Sequence, residues 1–134
     1  MGELRGEMET VEWSETTWDG RDHTSVSGPK QTVAVVRTRW SGDVSGDGEQ
    51  RWVMTYLSDD HSEFVGLETV TGTRDGRPGS VTLTHRGAFA DGGVRSSSEV
   101  VAGSGTGSMA GLTGTGVLEF GVGSENRSSW SVSW

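Results

Sequence analysis

Two ionisable side chains, Glu68 and His85, stand at a spacing that a β-hairpin would convert into a pair. A carboxylate beside an imidazole can exchange a proton near neutral pH, which is the work of a general acid or base. Between them the chain reads Thr69-Val-Thr-Gly-Thr-Arg74, then Asp75-Gly76, then Arg77-Pro-Gly-Ser-Val-Thr-Leu-Thr84. Asp-Gly between two β-rich runs predicts a two-residue primed turn, whose positive φ angles Gly, and to a lesser degree Asp, can supply. With Asp75 and Gly76 as the loop, Arg74 faces Arg77, Gly66 faces His85 and Glu68 faces Leu83. Glu68 and His85 are then diagonal neighbours on one face. That face also carries Phe64, Val70, Val81, Leu83 and Phe89, so the pair is set in an apolar wall. Burial there works against charge on either group, while their mutual attraction favours it. Tyr56 is the candidate donor to a substrate carbonyl or developing oxyanion. The alternative for the pair is a mutually satisfied hydrogen bond that only fixes hairpin register.

The elements that must position these residues are strands. Thr32, Ala34, Val36, Thr38 and Trp40 alternate with Val33, Val35, Arg37 and Arg39. Gln50, Trp52, Met54 and Tyr56 alternate in the same way with Arg51, Val53, Thr55 and Leu57. Period two is the mark of a half-buried strand, and no window carries a 3.6-residue stripe. Trp130, Val132 and Trp134 share a face opposite Ser129, Ser131 and Ser133. Adding strands through Met8 to Trp13, Val94 to Val101 and Thr115 to Phe120, with the hairpin's two, predicts an all-β fold of about eight strands. That number can close into a small antiparallel up-and-down β-barrel and leave no exposed edges.

Composition narrows the function. The 134 residues suit one domain over 1–134, and the absence of cysteine removes disulfides, thiolate metal sites and a Cys nucleophile. A net charge of −8 argues against a nucleic-acid partner, whose phosphates are neutralised by Lys and Arg. The N-terminus lacks the apolar core of a secretory signal and no stretch approaches a membrane span, so a cytoplasmic protein with no membrane partner is expected. The single lysine, Lys30, against ten arginines is read as GC-rich bacterial coding.

The ordered segments Trp13-Ser-Glu15, Ser41-Gly-Asp43, Gly46-Asp-Gly48, Met54-Thr-Tyr56, Phe64-Val-Gly-Leu-Glu68, Thr71-Gly72, His85-Arg-Gly-Ala-Phe89, Gly103-Ser-Gly-Thr-Gly107 and Gly111-Leu112 together carry a resemblance over nearly the whole length. The chain resembles a family of small bacterial domains of unknown function whose fold is similar to the allene oxide cyclase barrel, an eight-stranded lipocalin-like barrel. Related barrels include isomerases and cyclases of apolar small molecules, and the resemblance implies such chemistry. The family carries a tryptophan at the position of Ser98, a departure that implies a wider or wetter cavity.

Other apparent motifs have simpler explanations. Gly105-Thr-Gly107-Ser-Met-Ala110 matches a dinucleotide-binding turn in outline, but Gly111, Gly114 and Gly116 would break the helix that must hold the pyrophosphate. Asp43 to Gly48 opens like a calcium loop, yet its twelfth position is Met54 in place of a bidentate glutamate. Asn126-Arg-Ser128 is a glycosylation sequon by pattern alone. His23 with Asp19 and Asp22, and His61 with Asp59 and Asp60, read as solvated turns, so no metal and no cofactor are expected.

Six tryptophans exceed what an ordinary core of this size needs. Alternation places Trp40, Trp52, Met54, Tyr56, Phe64, Leu83, Phe89 and Trp130 inside, a wall that either fills the barrel or lines a pocket for an apolar ligand. Val33, Val35, Val53, Leu57, Val65 and Leu67 occupy the outer faces, which predicts a homodimer or small homo-oligomer through the strands around Val33, Val53 and Val65. Asp19 to Gly28 reads as a loop able to cover one mouth. The expected function is a cofactor-independent isomerase or cyclase, in secondary metabolism, enclosing an apolar substrate, with Glu68, His85 and Tyr56 as acid/base and donor groups. The alternatives are a carrier or sensor that holds a lipophilic ligand unchanged, and a purely structural barrel with a filled interior.

Overall fold

Strand alternation runs much further along the chain than hydropathy alone suggests. The computed structural model describes residues 3–120 and 127–133, with side chains through Leu118. The strands are β1 (Glu3–Thr17), β2 (Lys30–Gly42), β3 (Val44–Ser58), β4 (His61–Arg74), β5 (Arg77–Ala90), β6 (Gly93–Val100), β7 (Thr106–Gly107), β8 (Thr115–Phe120) and β9 (Arg127–Ser133). Among the described residues the only helix is a 3-10 turn at His23–Ser25, capped by the Asp22 side chain, which accepts from the Thr24 amide. The first strand is longer than Met8 to Trp13 at both ends.

Every pairing is antiparallel, and each strand lies beside its neighbour in sequence except at β7. The ladder passes from β1 through β2, β3, β4, β5, β6, β8 and β9 and returns to β1, so eight strands form a ring. The two-residue β7 takes the edge of β5 at Gly79 and Ser80, beyond the point where β6 has ended. The predicted hairpin is present residue for residue: Arg74 pairs with Arg77, Glu68 with Leu83 and Gly66 with His85. Asp75 and Gly76 take φ values of 53° and 73°, as a primed turn requires.

A bulge in β1 decides which residues face inward. Thr10 pairs with Thr38 but Glu12 with Arg37, leaving Val11 as an extra residue. One inserted residue moves all later side chains to the opposite face. Leu4 and Met8 are buried before the bulge, and Glu15 and Thr17 after it. Beyond Glu9, β1 has no ladder with β9 among the described residues.

The interior holds two apolar groups. Leu4, Met8, Trp40, Val44, Val70, Val81, Leu83, Val100 and Leu118 fill one end, closed by Met109 and Leu112 from the glycine-rich loop around β7. That loop is therefore a plug over the barrel end, with Met109 completely buried. Ala34, Val36, Trp52, Met54 and Phe64 form the second group, with Tyr56 and Val94 against it. Between the two, strand by strand, lie the buried polar residues Thr38, Gln50, Glu68, His85 and Ser98.

Candidate functional site

The central polar layer is built on facing positions. The Asp75-Gly76 turn sets β4 against β5, and a second Asp-Gly turn, Asp91 (φ 54°) and Gly92 (φ 77°), sets β5 against β6 so that His85 faces Ser98. Glu68 and His85 are 0% and 3% exposed, and His85 Nε2 lies 2.8 Å from Glu68 Oε1. His85 Nδ1 lies 2.6 Å from the Ser98 hydroxyl. Glu68 Oε2 accepts from the Thr38 hydroxyl at 2.7 Å and from the Trp40 indole N–H at 2.9 Å. Space for this carboxylate comes from Gly48: a Cβ there would run into Glu68 Oε2, the Thr38 hydroxyl and the Trp40 nitrogen.

Burial pushes the Glu68 carboxyl up, but the hydrogen bond and charge of His85, with the Thr38 and Trp40 donors, outweigh it and hold the group below its ordinary value. A charged carboxylate only accepts, so Nε2 carries the hydrogen of this bond. Nδ1 donates to the Ser98 oxygen when the imidazole carries the charge that attracts Glu68, and accepts from the Ser98 hydroxyl when it is neutral. Carboxylate, imidazole and hydroxyl thus form a single relay with every buried polar atom of the described side chains satisfied.

Of the predicted lining, Trp40, Trp52, Met54, Phe64 and Leu83 are buried, while Phe89 is half-buried. The Trp52 ring stands 5.3 Å from the His85 ring and meets Phe64 edge-on at 4.8 Å. The Trp52 N–H donates to Gln50 Oε1 at 2.9 Å, and the Gln50 amide N–H has as partner the Met8 thioether at 3.7 Å. Trp130 pairs through its backbone with Gly6 and Leu118, and its side chain lies outside the described residues. The alternation of Trp130, Val132 and Trp134 lies there too.

Tyr56 stands apart from the pair. It faces Ser62 at one end of β3, whereas Gln50 faces Glu68, so six residues and about 20 Å of strand separate Tyr56 from the pair. Its hydroxyl donates instead to Glu15 Oε2 at 2.6 Å. Thr32 donates to the same oxygen at 2.6 Å, and Trp13 Nε1 to Oε1 at 3.0 Å. His23, from the 3-10 turn, reaches Oε1 at 3.4 Å. Burial first, then the bond and charge of Glu15, push the Tyr56 phenol well above its ordinary 10.0. The loop expected to cover a mouth does touch this second cluster. Lys30 straps it by donating to the His23 and Val26 carbonyls at 2.5 and 2.8 Å, with its ammonium 4.7 Å over the Tyr56 ring.

Sequence reasoning missed Glu15, because the β1 bulge hides its inward direction. It also missed the role of Ser98, although Asp91-Gly92 carried the same turn signal as Asp75-Gly76. No group of three metal-ligating side chains is found among the described residues. An open groove touches His85 and Ser98, but its walls are the outward residues Val65, Leu67, Arg86, Glu99 and Val117. The sheet backbone therefore separates that groove from the relay. No helix among the described residues is long and apolar enough to cross a membrane.

The sequence profile of a family described as "Protein of unknown function (DUF3224)" matches residues 4–129. Among solved structures, a protein of unknown function from the DUF3224 family of Shewanella oneidensis MR-1 is similar at a TM-score of 0.75 and 22% identity, covering 98% of this chain and 95% of its own. Comparison with curated proteins yields no match. With a family profile spanning both polar clusters and nearly all of the β-ring, the chain belongs to the DUF3224 family.

Proposed function

We propose that this protein is a small-molecule enzyme, an isomerase or cyclase that encloses an apolar substrate in the barrel and moves a proton with Glu68 and His85. The observation that carries this reading is the ordered relay: a fully buried carboxylate and imidazole 2.8 Å apart, each held on its far side by further donors or acceptors. Such ordering fixes which nitrogen holds the proton and spares the site reorganisation during transfer. Trp52, Phe64 and Met54 beside it supply an apolar wall that would orient a flexible substrate.

A carrier or sensor of a lipophilic ligand is the second reading, favoured by the apolar wall of Trp52, Phe64 and Met54. Native mass spectrometry of freshly purified protein, followed by chemical identification of any co-purified molecule, supplies the substrate for the deciding test. Glu68→Gln and His85→Ala are expected to keep binding and to slow conversion by about 100-fold or more, the range of general acid/base catalysis. Binding of that molecule by the unsubstituted protein without any conversion would overturn the enzyme reading in favour of the carrier.

The proposal extends to a second copy of this chain as partner. Val33 faces Val53 and Val53 faces Val65, an apolar row across three strands, with side chains 43%, 48% and 43% exposed. Covering this row by the same row of another copy removes it from water.

A further inference from the structure

We propose that Ser98 is the nucleophile of an acyl-transfer site that takes small carboxylic esters, with His85 as its base and Glu68 as the residue that positions the imidazole. The inference rests on the same ordered imidazole as the proposed proton chemistry and adds a covalent activity to it. Serine, imidazole and carboxylate in this sequence of contacts, 2.6 and 2.8 Å, are the arrangement by which a hydroxyl becomes a nucleophile at neutral pH. The carboxylate cannot donate, so Nε2 bears hydrogen, and in the neutral imidazole Nδ1 can take the Ser98 proton. Thr38 and Trp40 on the other carboxylate oxygen keep Glu68 from turning away.

Ser98 differs from its neighbour in the same serine run. Ser96 is also buried, but its hydroxyl donates to the Ser97 carbonyl at 3.5 Å and meets no base among the described contacts. The Trp52 ring beside His85 suits an apolar acyl group. Trp13, which pairs with buried Val36 and shares its inward parity, is 47% exposed.

In the step proposed, Ser98 Oγ bonds to the ester carbonyl carbon as its proton passes to His85 Nδ1. The bond from that carbon to the alkoxy oxygen then breaks, and the departing alcohol takes the proton from Nδ1. Water attacks the acyl-serine, giving a proton to Nδ1, and the carboxylic acid leaves as Ser98 recovers its proton.

A small fluorophosphonate is the direct probe: Ser98 bonds to phosphorus and fluoride leaves. One adduct per chain, mapped to Ser98 by peptide mass spectrometry and absent in Ser98→Ala and His85→Ala variants of unchanged circular dichroism, is the expected result. No adduct on the folded protein, or an adduct at Ser96, would overturn the proposal. A second measurement uses the chain's lack of cysteine. Ser98→Cys is expected to alkylate with iodoacetamide on the order of 10-fold faster at mildly acidic pH than the same variant also carrying His85→Ala, because the imidazole stabilises the thiolate. Equal rates, or no alkylation of the folded variant, count against it. The adduct is read without any co-purified ligand, and its absence alongside conversion of such a ligand would overturn the acyl transfer alone, so the two proposals fail separately.

Discussion

At the scale of single residues, the central question is how charge survives inside a small barrel. Glu68 does so because three side chains donate to it, and their combined effect exceeds the cost of burial. Its folded carboxyl lies below the ordinary 4.5, so the unfolded chain binds the proton more tightly. The stabilisation is full above about pH 4.5 and is lost as pH falls through the lower folded value. Thermal unfolding followed from neutral pH down to pH 3 should show this loss, with a flatter acid limb in Glu68→Gln. A slope unchanged by that substitution would exclude Glu68 as its source. Tyr56 works in the opposite direction. Its folded phenol is raised above 10.0, so its contribution is full below pH 10 and is lost as pH rises through the folded value. As the single tyrosine of the chain, it can be followed alone by ultraviolet difference absorbance. Ionisation should begin at higher pH than for free tyrosine and return to the ordinary range in urea, and Glu15→Gln should bring it part of the way back.

At the scale of elements, strand faces and turns act together. Alternation on β2 and β3 sends Thr38 and Trp40 inward beside Gly48, and the missing Cβ of Gly48 is the room in which the Glu68 carboxylate sits. Gly48→Ala adds one methyl group to a filled place. It is expected to cost about 1–3 kcal/mol in urea unfolding, the usual range for overpacking. It should also disturb the Trp40 environment, read by tryptophan fluorescence. An unchanged midpoint would mean that the strand yields and the carboxylate is less tightly held than its three hydrogen bonds imply. The bulge at Val11 is the other decisive local feature, since it carries Glu15 and Thr17 into the interior and so creates the cluster that captures Tyr56.

At the scale of the whole molecule, closing the ring removes free strand edges along most of its circumference and leaves apolar side chains on both faces of β2 to β4. The outer row Val33, Val53 and Val65 is the basis for expecting self-association. Light scattering on the purified chain should give the mass of a dimer or a small oligomer, and Val53→Glu should shift it to the monomer without loss of β structure by circular dichroism. A monomeric mass across micromolar concentrations in the unsubstituted protein would remove this part of the proposal.

Local chemistry in the sequence was enough to determine the β class, the Asp75-Gly76 hairpin, its register and the approach of Glu68 to His85. Each of these depends on a two-residue turn and on a side-chain period of two, both of which are short-range. Most of the inner wall was legible for the same reason: Trp40, Trp52, Met54, Phe64 and Leu83 hold the inward parity of their strands. The distance of Tyr56 from the pair was not legible, because parity tells which way a side chain points and says nothing of its height along the barrel. Glu15 lay hidden behind a single extra residue, and the role of Ser98 waited on the β5 to β6 register. Only the tertiary structure decided these, by setting strands from distant parts of the chain side by side. Registers in series turned one predicted pair into a relay of carboxylate, imidazole and hydroxyl, and placed a second carboxylate cluster apart from it.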